Sequence, residues 1–231
     1  MTVDLLPMVL SLKLAVICTI VLTIVCIPLA YWLSTSDSYL KMLMRSAAML
    51  PLIIPPSVLG FYFLILWSPF SPVGHFIETV FHIRLVFTFW GLSMALAVAG
   101  LPFMLNPIIA GFESLPPSLR EASLTLGKNE FETLYRVLLP SIRPSLLIGI
   151  VMTFIHTFGE FGMVLMLGGK IPGKTLTASI ALYDHVESLE YTQAHIYAGV
   201  ITFSAFISLL LLFILNSRND KIRSLFLTRK E

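Results

Sequence analysis

The chain has 231 residues, of which 57% are hydrophobic and only 12% are charged, and its formal net charge is +2. Soluble domains carry about 25% charged residues, so this composition excludes an ordinary water-soluble protein and favours one embedded in a lipid bilayer. The small net charge and the scattered cations also argue against nucleic acid as a partner.

Five apolar runs predict five transmembrane helices in a single domain over residues 1–231, because each run approaches the roughly 20 residues that cross a bilayer core. The runs extend over approximately residues 8–32, 47–67, 85–109, 146–167 and 196–215. Prolines inside the second and third runs are compatible with membrane helices when neighbouring groups satisfy the freed backbone. The predicted fold class is an all-α integral membrane protein.

Lys and Arg residues are unequally distributed between the segments that flank these runs. One set of segments carries eleven of them, whereas the opposite set carries three, which are Arg84, Lys170 and Lys174. Because cations near the ends of spans are retained in the cytoplasm, the asymmetry predicts a cytoplasmic 113–145 loop and C-terminus and a periplasmic N-terminus. We therefore expect a multi-pass protein of the cell inner membrane.

The predicted cytoplasmic loop, residues 113–145, has the pattern of two short helices. The first has Ser118 as a candidate N-cap, with Glu121 three residues later as its capping-box partner, and it is interrupted at Gly127. The second covers Glu130 to Leu138. Its helical spacing places four apolar residues on one side, namely Phe131, Leu134, Tyr135 and Leu138.

The same loop contains a longer motif, which consists of Glu121-Ala122-Ser123, then Gly127, then Val137-Leu138-Leu139-Pro140. Its spacing resembles the cytoplasmic EAA loop of type I ABC-importer permeases, with Ser123 in place of the usual second alanine. In that family the loop forms a coupling helix that sits in a groove on the ATPase subunit. The resemblance implies an ATPase-coupling role for Glu121, Ala122, Ser123, Gly127, Leu139 and Pro140. The alternative is an interfacial helical loop without a partner.

A finer resemblance covers nearly the whole chain and is to the molybdate-type permeases, which are close to sulfate and tungstate permeases. It is carried by residues 50–60, by residues 159–173 including Gly159-Glu160-Phe161-Gly162, and by residues 179–184. These stretches favour molybdate and leave tungstate and sulfate open. The resemblance implies transport by alternating access, with a periplasmic oxyanion-binding protein that delivers the anion.

The resemblance also assigns the ATP chemistry to other chains. Two ABC ATPase subunits would bind ATP and Mg, so we expect neither a catalytic residue nor a cofactor in this chain. Five spans are few to enclose an ion path, whereas two copies about a twofold axis would form a central passage. We therefore expect a homodimer of this chain.

A phosphate-loop pattern competes with that assignment, since Gly168, Gly173, Lys174 and Thr175 satisfy G-x-x-x-x-G-K-[ST]. A working phosphate loop follows a strand and opens a helix whose N-terminus faces the phosphates. Here a predicted membrane helix precedes the pattern, and Pro172 removes one backbone donor. We predict that this segment does not bind ATP.

Polar residues also lie at membrane depth, where ionisable groups are costly and are usually functional. Thr153, His156, Thr157 and Glu160, which we call the polar stripe, share one helical face. The stripe would line the translocation pathway or its gate. The alternatives are a structural His156–Glu160 pair between helices, or a Glu160 near water at the outer end. Without a third ligand nearby, the pair does not predict a metal site.

Two other classes of protein remain open at this point. A secondary transporter or channel would need no ATPase, and it would have no use for the patterned 113–145 loop. A membrane-embedded enzyme or scaffold is disfavoured because no nucleophile–base pair or metal cluster is visible in the sequence.

Overall fold

The structure, a computed structural model, describes residues 4–35 and 38–227, and it describes the side chains of these residues up to residue 217. These residues form helices and connecting loops, and none of them is in a strand. The first six helices are α1 Leu6–Ser34, α2 Tyr39–Ile53, α3 Pro56–Trp67, α4 Pro72–Phe81, α5 Phe89–Glu113 and α6 Pro117–Thr125. A continuous helical segment follows, formed by α7 Glu130–Thr133, a π-helical turn Leu134–Leu138 and α8 Leu139–Ser141. The last four helices are α9 Arg143–Gly159, α10 Gly162–Gly168, α11 Ala178–Glu187 and α12 Tyr191–Leu227.

The helices confirm the predicted all-α class and allow the predicted number of spans. Within the described residues, three helices are long and apolar enough to cross a membrane, and five crossings result if each bent helix pair counts as one. The second predicted run is such a pair, because α2 and α3 meet at 111°. The bend arises where Ile54 and Pro55 leave the helical conformation, with ψ of 130° and 136°.

The fourth predicted run is also divided, into α9 and α10, and the two interruptions of the chain lie against each other. A Cβ atom on Gly60 of α3 would lie 2.9 Å from Cα of Met163 in α10, so only glycine allows this approach. A Cβ atom on Gly162 would lie 3.2 Å from the backbone nitrogen of Ser57. The breaks before α3 and α10 are therefore in direct contact.

Helices α1 and α5 pack side by side and supply both halves of the main core. One apolar cluster includes Leu14 and Leu96, and the other includes Cys26 and Ile108, all at most 1% exposed. Cys18 and Cys26 are buried free thiols, as expected for cysteines inside a span. This pair is the frame on which the helices of the 113–145 loop rest, because Leu119 and Leu139 pack against the second cluster.

The two-helix organisation of the 113–145 loop is confirmed, but its predicted cap is wrong. Helix α6 begins at Pro117 with Pro116 as its N-cap residue, and no side chain caps it. Proline at the first helical position already has the required φ and lacks the N–H that a cap would satisfy. Ser118 therefore lies inside the first turn, and the second helix is capped instead by Asn129, whose side chain accepts from Glu132 N at 2.8 Å.

Candidate functional site

Helix α6 presents one face to the surface and packs the other against the chain. Glu121 and Ala122 are exposed, whereas Leu119 is partly buried and Ser123 is only 4% exposed. Among the described residues, the Glu121 carboxylate has no hydrogen-bond or salt-bridge partner. The exposed carboxylate can pair with a cation of a partner protein, and the small alanine beside it lets the partner's surface come close to α6.

Gly127 ends α6 in a conformation that favours glycine. Its φ is +82°, in the left-handed region. Its N–H donates to the carbonyl of Leu124 at 2.9 Å, and the N–H of Lys128 donates to the carbonyl of Ser123 at 3.2 Å. These two bonds form a Schellman motif, which satisfies terminal carbonyls and turns the chain sharply.

Ser123, where the EAA pattern usually has alanine, makes a buried hydrogen bond. Its Oγ lies 2.9 Å from Oγ1 of Thr133, which is fully buried, and the bond joins α6 to α7. The sequence showed only that Ser123 is small, because the partner lies across the turn at Gly127. The serine is therefore a specific link between the two loop helices rather than a neutral replacement.

Leu139 and Pro140 lie where the loop turns into the membrane. Helical residues Glu130–Ser141 meet α9 at 78°. Leu139 packs against the second core cluster, and Pro140 lies in the last turn of the helical segment Glu130–Ser141, just before that segment ends. These two residues form the corner between the loop and α9, away from the exposed face of α6.

The four apolar residues predicted on one side of the second loop helix divide between two environments, so that prediction is wrong. Leu134 and Leu138 are buried, whereas Phe131 is 70% and Tyr135 is 40% exposed. The π-helical turn changes the angular spacing after Thr133, so the i, i+3, i+4 pattern no longer holds. Phe131 and Tyr135 contact each other with ring centroids 4.5 Å apart. They form an exposed aromatic pair on the same loop as α6.

The polar stripe lies between α9 and α5 and is largely buried. Thr153, Thr157 and Glu160 are 0%, 3% and 7% exposed. The His156 ring stacks on Phe103 with centroids 4.2 Å apart, and its Nε2 lies 3.8 Å from a Glu160 carboxylate oxygen. The other Glu160 oxygen accepts from Met163 N at 3.2 Å, so Glu160 caps α10 at the break. His156 and Glu160 thus pair along one helix and not between helices, and the pathway, gate and structural roles of Glu160 all stay predictions.

Three atoms of the stripe are buried without a hydrogen-bond partner in the described part of the chain, namely Thr153 Oγ1, Thr157 Oγ1 and His156 Nε2. Buried polar groups are usually hydrogen-bonded, so this cluster calls for a physical explanation. No group of three or more His, Cys, Asp or Glu side chains in residues 4–35 and 38–217 is arranged to hold a metal ion.

The phosphate-loop pattern lies in a compact turn between two helices. It follows α10, and Thr175 is fully buried. The Thr175 hydroxyl donates to the Gly168 carbonyl at 2.7 Å and accepts from Ile171 N at 3.1 Å. Because this hydroxyl is used within the turn and no strand precedes it, the segment lacks the architecture of a phosphate loop.

A charged cluster that the sequence did not reveal fixes this turn to α11. Lys170 forms ion pairs with Asp184 and Glu187, and Tyr183 donates to Glu187 at 2.7 Å. The hydrogen bond to Asp184 raises the pKa of Lys170, and the bond from Tyr183 lowers the pKa of Glu187. Both groups are therefore charged at neutral pH, and the cluster holds the turn in place.

Comparison with known proteins identifies the fold and the family. A family model described as the inner membrane component of binding-protein-dependent transport systems matches residues 26–222. The chain belongs to this family. The permease is 39% identical over 210 residues to the molybdenum transport system permease protein ModB of Azotobacter vinelandii, which covers 91% of this chain and 93% of that protein.

Two further relatives carry the names of molybdenum and sulfate transport permeases. It is 32% identical over 203 residues to the putative molybdenum transport system permease protein YvgM of Bacillus subtilis, covering 88% and 89% of the two chains. It is 33% identical over 174 residues to the sulfate transport system permease protein CysT of Escherichia coli, covering 74% of this chain and 61% of CysT.

Solved structures share the fold at low sequence identity. The MetNI methionine ABC transporter in an inward-facing conformation matches with a TM-score of 0.66 and 15% identity, over 90% of this permease and 94% of that chain. An amino acid ABC transporter matches with a TM-score of 0.60 and 18% identity, over 94% and 100% of the two chains. The permease therefore has the fold of ABC-importer permeases.

Proposed function

We propose that this chain is the permease subunit of an ATP-driven importer that moves molybdate across the inner membrane. The observation that carries the substrate is the 39% identity to the Azotobacter vinelandii molybdenum permease over 91% of the chain. Tungstate and sulfate are the alternative anions, and the CysT similarity supports sulfate as the more distant of them. Transport without an ATPase is the remaining alternative.

The proposed coupling element is the 113–145 loop, with α6 as the part that docks on the ATPase. Support comes from the exposed Glu121 and Ala122, from the left-handed turn at Gly127 and from the exposed aromatic pair Phe131 and Tyr135. Leu139 and Pro140 would carry the displacement into α9, because they form the corner between loop and span. ATP and Mg would be bound by two ATPase subunits, and this chain would hold no cofactor of its own.

The proposed assembly is a homodimer that receives its anion from a periplasmic oxyanion-binding protein. The exposed apolar surface of α12 supports contact with a second copy of the chain or with lipid, since only 6% of the most apolar 18 residues of this helix are buried. The charge asymmetry of eleven against three supports a cytoplasmic C-terminus and a periplasmic N-terminus. In this orientation α6 faces the compartment that contains ATP.

The polar stripe would act in the gate of the passage. Glu160 ends α9 and caps α10, and α10 contacts the beginning of α3, so a change at Glu160 would move both broken helices. Thr153, His156 and Thr157 are buried and each has a polar atom without a hydrogen-bond partner among the described residues, which supports a second arrangement in which these atoms find partners. A dianion would be repelled by a Glu160 carboxylate, so we do not assign Glu160 as a ligand of the anion.

Uptake measured in proteoliposomes tests this proposal. Vesicles containing the permease, its ATPase and its binding protein should accumulate labelled molybdate only when ATP is present on the side of the membrane where the ATPase is bound. Unlabelled tungstate and sulfate are then added as competitors. If unlabelled sulfate lowered the uptake of labelled molybdate more than unlabelled molybdate does, the substrate assignment would be overturned. Uptake without ATP would overturn the importer assignment.

A further inference from the structure

Three side chains join α6 to the cytoplasmic end of α1. The Tyr31 hydroxyl donates to a Glu130 carboxylate oxygen at 2.7 Å, and Arg120 Nε donates to the Tyr31 oxygen at 3.1 Å. Arg120 also forms an ion pair with the other Glu130 oxygen. The three groups therefore form a closed set of hydrogen bonds between α1, α6 and α7, which we call the Tyr31 triad.

The Tyr31 triad is linked to the packed pair of helices α1 and α5 through Tyr31. The aromatic side chain of Tyr31 packs edge-on against Phe112 near the end of α5, with ring centroids 5.6 Å apart. Helix α1 in turn packs along α5 and α9. A displacement of Tyr31 would therefore reach the helices that carry both core clusters.

The Tyr31 triad is suited to orienting α6 more than to stabilising the fold. The side chains of Arg120 and Glu130 are 42% and 51% exposed, and ion pairs at such positions contribute little to folding. The hydrogen bonds that Arg120 donates to Tyr31 and Glu130 raise the pKa of Arg120, so its charge persists at any working pH. Three mutual contacts fix the direction of Arg120 on α6 more closely than a single pair would.

We propose that Tyr31, Arg120 and Glu130 are positioning residues that transmit the movement of α6 to α1. The inference rests on the proposed coupling function of α6. Without the Tyr31 triad, α6 would still dock on the ATPase. A displacement of α6 would then deform the turns on either side of α6 and would not move α1. Hydrolysis would then continue with less transport per ATP.

Two conservative variants test the positioning role. Tyr31→Phe removes the hydroxyl and keeps the contact with Phe112, and Glu130→Gln removes the charge. Each should lower the molybdate moved per ATP about three- to fivefold, the size expected for losing one partly exposed contact, while the amount of assembled complex stays normal. The matched control is Glu132→Gln, since among the described side chains Glu132 pairs only with Arg136 on its own helical segment, at 3.5 Å. The control should transport normally.

Two further measurements separate this inference from the function on which it rests. Hydrogen–deuterium exchange of residues 117–127 in the permease alone, in nanodiscs, should become faster in Tyr31→Phe and stay unchanged in Glu132→Gln. The charge-exchanged double variant Arg120→Glu/Glu130→Arg should regain most of the transport per ATP that Glu130→Gln loses. Unchanged exchange in Tyr31→Phe, or equal losses in Glu130→Gln and Glu132→Gln, would overturn the inference. Failure of the wild-type complex to transport molybdate would overturn the proposed function, while the exchange result would still stand.

Discussion

Replacement of Gly127 by valine tests whether the left-handed turn after α6 is needed for docking on the ATPase. A Cβ atom at this position would have no heavy atom within 4 Å, so the substitution causes no clash with described residues. The whole penalty comes from φ, which is +82°. Holding an L-residue in the left-handed region costs about 1–2 kcal/mol, and the branched Cβ of valine makes this worse.

That penalty gives an expected change in affinity. Because about 1.4 kcal/mol corresponds to a factor of ten, Gly127→Val should weaken binding of the ATPase to the permease roughly 5- to 30-fold. Gly127→Asn is the matched control, since asparagine tolerates the left-handed conformation and should lose only a small part of the affinity. Binding is measured on permease in nanodiscs, with membrane insertion and dimer content checked for each variant. Normal affinity in Gly127→Val, or an equal loss in both variants, would refute the reasoning.

Three further predictions concern topology, gate and loop. A periplasm-active reporter fused after Leu227 should be inactive, and activity would overturn the orientation. Glu160→Gln should change uptake with assembly intact if Glu160 acts in the gate, whereas a lower melting temperature of the permease in detergent would show that the charge of Glu160 has a structural role. Thr133→Val leaves the buried Ser123 hydroxyl unsatisfied and should destabilise the loop by about 1–3 kcal/mol. The double variant Ser123→Ala/Thr133→Val should recover most of this loss in the same melting experiment.

Apolar patterning predicted the fold class well because membrane helices need long uncharged runs, and α1 and α5 have them. It could not predict the 111° bend between α2 and α3, since prolines are tolerated within membrane helices when neighbours satisfy the backbone. The neighbour here is α10, which is close to α3 only in three dimensions.

The 113–145 loop shows a similar limit. The resemblance to the EAA loop singled out Glu121 and Gly127, because that motif is contiguous in the sequence and a glycine can adopt the left-handed conformation found there. The Ser123–Thr133 bond and the contacts of Tyr31 with Arg120 and Glu130 were not predictable, since they join residues that only the turn at Gly127 and the end of α1 bring together. The N-cap at Ser118 was wrong because Pro117 can start a helix without a side-chain cap.

Site-specific cross-linking of α6 to the ATPase tests the central claim most directly. Cys18 and Cys26 are at most 1% exposed, so an introduced cysteine can be labelled selectively with a photoactivatable maleimide. Label at Ala122→Cys, on the exposed face of α6, should cross-link to the ATPase in the assembled complex, and label at Ser71→Cys, beside α4 at the opposite end of the spans, should not. Absence of a cross-link from Ala122→Cys in a complex that still hydrolyses ATP, or an equal yield from Ser71→Cys, would contradict the assignment of α6 as the coupling helix.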